Sequence, residues 1–190
     1  KTQGLEKVLG KMHNLVGHAI IPFEAGGAVD MYYFPEYIRG TGFATMELLD
    51  PDGNGPLPNE TGTYELVGFT KHDCNLNKDN PGPFIEIERK ICGIFTGIGH
   101  YSRRAVLNPL ETCEVPNDEG EDNTCVIFDI FNPDGKAFMI GSNQHHLLLC
   151  LQIFRSEMEY ARSNGSMALL EKLKKAGYYP YSDLDREAVA

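Results

Sequence analysis

The sequence predicts an α+β fold, a largely antiparallel mixed sheet packed with helices. Three observations carry that prediction. A helical pattern opens the chain and strand-like runs follow it. One long helical pattern, with Phe84, Ile87, Ile91, Phe95 and Ile98 on one face, separates these from a second set of strands. Two short helical patterns close the chain, so regular β-α-β alternation is absent. A chain of 190 residues, 42% hydrophobic, suits one domain spanning 1–190. At that size roughly 70% of the unfolded surface is buried on folding.

The elements follow in order. Thr2 caps a first helix with Leu5, Val8, Leu9, Met12 and Val16 on one face, and Gly17 ends it. Residues 28–34 read as a strand rich in aromatics and stopped by Pro35. Tyr32, Tyr33, Phe34 and Tyr37 suit core packing, and any left exposed would anchor an interface. A second strand falls near 42–49, then a breaker-rich loop at 50–62, then a strand over 63–70. Pro83 starts the central helix, and 101–124 reads as irregular. Strands are expected at 125–131, 136–140 and 146–154, with a turn at 132–135. Helices at 156–164 and 167–176, the latter capped by Ser166, complete the pattern.

Lys and Arg number 17 against 27 Asp and Glu, a formal net charge of -10. That balance opposes nucleic-acid binding and favours a basic protein partner. Residues 1–95 carry 8 basic and 13 acidic side chains and residues 96–190 carry 9 and 14, so each half is at -5. The charge concentrates once, at 111–122, where six acidic residues occur without a Lys or Arg. Such a run is a solvated loop or a contact for a basic partner. Five cysteines without a CxxC pair indicate free thiols in a reducing compartment, hence a cytoplasmic location. Cys92 and Cys150 read as core, and Cys113 and Cys125 could meet across the acidic loop. No stretch approaches the ~20 apolar residues of a membrane helix. No signal peptide is visible, although a chain starting at Lys1 is compatible with a trimmed leader.

Catalytic signatures are scarce. The series Asp50, Asp52, Asn54, Gly55 begins like a calcium loop, but Thr61 stands where the bidentate Glu belongs, so a polar turn is expected. The six histidines form no HExxH, and His145 and His146 point to opposite sides of a strand. GxSxG, P-loop and GxGxxG motifs are absent, and no cofactor or metal is expected. A hydrolase or metal enzyme using His100, His145 or His146, with Cys92 or Asp129 nearby, is the alternative.

In the C-terminal third the apolar run 148–154 is followed by Glu157 and Ala161 in an E-x-x-x-A pattern, then by Gly165 with Leu169, Leu170 and Leu173. That series resembles the suppressor of fused-like domain family. Asp183 and Arg186 match its D-x-x-R ending. Upstream, 29–35 with Thr41-Gly42, then 64–67, then Asn108-Pro-Leu110 are similar to its further blocks, in the right order. The loops 50–62 and 111–124 are this chain's own, and Trp is absent.

That resemblance implies a non-catalytic α/β domain that binds proteins. Related two-domain proteins clamp an extended peptide as an added strand. Single-domain members look bacterial, and many are thought to be immunity proteins against secreted toxins. On this reading the chain occludes a basic partner, such as a toxin, rather than turning over a substrate; a structural interaction protein unrelated to toxins is the other non-enzymatic reading. Two surfaces are expected to carry binding. One is the acidic loop through Glu114, Asp118, Glu119, Glu121 and Asp122. The other is the strand 63–69, flanked by Tyr64 and Glu65, if it lies at a sheet edge.

Overall fold

A computed structural model describes residues 1–49, 55–77, 82–117 and 122–190. The calcium-like series at 50–54 lies outside them apart from Gly55. In chain order the elements are α1 (Thr2–Leu9), β1 (Val16–Gly17), β2 (Met31–Phe34), β3 (Thr41–Ala44), β4 (Tyr64–Thr70) and α2 (Gly82–Ser102). They continue as β5 (Thr112–Val115), β6 (Thr124–Ile130), β7 (Phe138–Ile140), β8 (Asn143–Ile153), α3 (Arg155–Asn164) and α4 (Ser166–Lys175).

Among the described residues the sheet runs β1-β2-β3-β4-β8-β6-β5, with β7 paired to β8 off that path. Every pairing is antiparallel except that of β4 with β8. The layering follows from the two-residue period of β8. Leu147, Leu149, Leu151 and Ile153 face one side, against Leu5 and Val8 of α1, Met158 of α3 and Leu169 of α4. Leu148 and Cys150 face the other, where α2 packs Phe84, Ile91, Phe95 and Ile98. The α+β expectation is met by a mixed sheet with helices on both faces.

Several boundaries move. The first helix stops at Gly10, whose φ of 78° lies in the left-handed region, and not at Gly17. Val16 and Gly17 instead pair with Tyr32 and Met31, because tertiary pairing outweighs their helical spacing. Gly165 rather than Ser166 precedes the last helix, and it offers no side-chain cap. Residues 101–124, expected to be irregular, contain β5. Cys150 is buried, but Cys92 is only half-buried. Cys113 packs with the α2 layer and Cys125 with the opposite layer, so the sheet separates their free thiols.

Candidate functional site

The strand expected to accept a partner at a sheet edge does not lie at one. β4 lies between β3 and β8, hydrogen-bonded on both sides. Tyr64 and Glu65 are both at 0% exposure. Glu65 serves the interior: it accepts from Thr45 Oγ1 at 2.7 Å, Leu48 N at 3.2 Å and Leu49 N at 3.0 Å. It thereby fixes the turn after β3, and Lys1 pairs with it at 3.3 Å. Burial pushes the Tyr64 hydroxyl pKa upward.

Of the acidic residues expected to bind, the structure describes Glu114 and Asp122. Asp118, Glu119 and Glu121 lie outside the described residues. Glu111 accepts from the backbone and side chain of Asn108. Glu114 pairs with Arg155 at 3.0 Å and Arg162 at 3.2 Å, both from α3. Arg155, helped by Asn123 and Arg162, holds the Glu114 carboxyl below the usual carboxylate range. Asp122 lines a cleft of 940 Å³ that also presents Arg89, Lys90 and Arg155. A segment free of basic residues in sequence is therefore met by basic residues in space.

The histidines are distributed among separate partners. His100 Nε2 lies 2.9 Å from the Gly27 carbonyl, and its ring stacks on Phe23. His145 Nδ1 lies 2.7 Å from Thr63 Oγ1. Asp129 accepts from Tyr179. Cys92 contacts the Val29 carbonyl, two helical turns before His100. Among the described residues no group of three His, Cys, Asp or Glu could hold a metal, and no helix is long and apolar enough to cross a membrane.

β5 ends the sheet opposite the two-residue β1, and only one of its edges is paired, to β6. Phe128 N donates to Glu111 O at 3.0 Å. The hydrogen-bonded pairs then alternate to Cys113–Val126 and Val115–Thr124. The N–H and C=O groups of Thr112 and Glu114 consequently point outward, where no described strand pairs with them. Leu110, at φ 68°, and Glu111 together oppose Phe128, a bulge that sets the start of the strand.

A groove of 360 Å³ runs beside this edge, between Gly97, Ile98 and Tyr101 of α2 and Cys113, Val115 and Pro116 of the hairpin. Gly97 makes it possible, since a Cβ there would stand 2.9 Å from Val115 Cγ1. Tyr101, which lines it, is 51% exposed. Leu57 is held at the end of α2 by its bond to the Ser102 carbonyl. Sequence reasoning missed β5 because four residues amid charged and turn-forming ones show too little periodicity. The alternation of Cys113 and Val115 against Thr112 and Glu114 was the available signal.

By fold the chain is similar to a chain of the Sufu-Fu complex crystal structure, with a TM-score of 0.62 and 16% sequence identity. The alignment covers 99% of this chain and 90% of that one. No family model matches the sequence, and no curated protein matches it. At that identity the likeness is one of fold, and it agrees with the fold that the motif series implies.

Proposed function

We propose that this chain is a non-catalytic protein-binding module that captures an extended peptide of its partner along the outer edge of β5. The observation carrying this reading is the juxtaposition of outward backbone groups at Thr112 and Glu114, which no described strand uses, with an apolar groove. Main-chain hydrogen bonds would supply affinity there, and the groove would select an apolar side chain on alternate positions. The structural neighbour, a Sufu chain in complex with Fu, supports a partner-binding use of the fold. The module acts by occlusion and not by turnover. The family resemblance supports the finer reading of an immunity-type, bacterial protein whose partner is a toxin, and the five free thiols suit a cytoplasmic setting.

Thr112→Pro tests the docking edge. Proline removes an outward N–H that no described strand uses, and proline is tolerated on edge strands. A partner captured by the wild-type chain from the native lysate should be lost by Thr112→Pro at an unchanged melting temperature. Retention of the same partner would place binding elsewhere. A captured partner that is not a toxin would end the immunity reading while leaving the edge intact.

A further inference from the structure

Tyr101 lines two adjoining hollows. One is the apolar groove beside β5. The other, of 380 Å³, is closed by Gly26, His100, Arg103 and Arg104. The second hollow is basic in a chain of net charge -10. Arg103 lies over the Phe23 ring, 4.7 Å from its centroid, and His100 stacks on the same ring. Neither Arg103 nor Arg104 forms an ion pair with a described residue, whereas Arg155, Arg162 and Arg186 each do.

We infer that the segment captured at β5 is an acidic-apolar peptide, an inference that rests on the docking edge proposed above. An aliphatic or aromatic side chain fills the groove over Ile98 and Val115, and Asp or Glu residues lie over Arg103 and Arg104. The guanidinium fork matches a carboxylate in two parallel hydrogen bonds, and beside apolar walls such pairs lose less to water than on an open surface. Arginines at a helix C-terminus also favour the last carbonyls. Their continuity with the groove through Tyr101 is what makes them part of one docking surface. The net charge of the chain suggests a basic partner, but recognition at contact is decided by the groups within a few ångströms.

The test is selection of a phage-displayed library of random nine-residue peptides on the full chain, followed by fluorescence anisotropy of the enriched peptides. These should carry an apolar residue flanked by Asp or Glu. Exchanging those acids for Lys should weaken binding about tenfold, the scale of two partly exposed ion pairs. The double variant Arg103→Glu/Arg104→Glu should reverse the preference, binding the Lys peptide better. Enriched peptides without acidic preference, or a preference unmoved by the charge reversal, would overturn the inference and leave the docking edge standing. Absence of enrichment, or equal binding to Thr112→Pro, would overturn the docking edge itself. Circular dichroism and thermal melting of each variant separate lost binding from lost folding.

Discussion

β4 and β5 each place a glutamate among apolar neighbours, and the two strands have opposite fates. β4 sits mid-sheet, so Glu65 is sealed at 0% exposure and donors from the turn after β3 converge on it. β5 ends the sheet, so Glu114 meets arginines of α3 while the backbone beside it faces outward. Position in the sheet, and not residue type, divides a carboxylate sealed among its donors from one shared with surface arginines. A buried acid is held by its donors; an edge strand leaves part of its backbone outside the sheet's own ladder.

The strongest way to break this comparison is at the centre. Glu65→Ala should lose about 4 kcal/mol, because it strands the buried N–H groups of Leu48 and Leu49. Urea denaturation measures it, and a loss under about 1 kcal/mol would mean that Glu65 does not organise that turn.

A second buried carboxylate ranks next. Glu157 receives both terminal nitrogens of Arg186, at 2.6 and 2.8 Å, with the N–H groups of Phe154 and Val189 completing its shell. Burial alone would raise its pKa, but Arg186 and those N–H groups hold it below the usual range. A lowered folded pKa gives stability present above the unfolded value, near 4.3, and lost as pH falls through the folded one. Arg186→Met should cost about 3 kcal/mol at neutral pH. Glu157→Gln should flatten the acid limb of the stability curve, and an unchanged limb would assign acid unfolding to other carboxylates.

Gly97→Ala sharpens the comparison from the edge. The added methyl presses on Val115, a cost of about 1–3 kcal/mol offset by about 1 kcal/mol of helix propensity. Stability should fall modestly, while binding at β5 falls more because the groove narrows. Equal losses in both would mean that the groove is not used.

The smallest effect belongs to Glu114→Gln. Its arginine pairs are solvent-facing and should be screened by salt. The melting temperature should shift slightly at low ionic strength and not at high. A salt-independent shift would show that Glu114 packs α3 by geometry and not by charge.

The spacing of Phe84 to Ile98 made the central helix legible, and the apolar runs did the same for β6 and β8. Those elements bury a large apolar face, and the pattern that buries it is written locally. The short pieces were not legible. Val16–Gly17 continues a helical spacing, and only pairing with Tyr32 and Met31 makes it a strand. The D-x-x-R ending was legible as a motif but not as a clamp. Asp183 accepts from Thr70 Oγ1 and Lys71 N, and Arg186 reaches Glu157, so the motif ties the C-terminus to the sheet and to α3.

The sequence by itself determined the fold class, the two apolar faces of β8 and the acidity of the chain, because periodicity and composition are local properties. Only the tertiary structure decided which strands end the sheet and which acids are met by arginines. Strand order sets the first, since β8 inserts between its near neighbour in sequence, β6, and the far more distant β4. Helix packing sets the second, since α3 brings Arg155 and Arg162 to Glu114. Both depend on contacts between distant segments, and a short window of sequence does not encode who those neighbours will be.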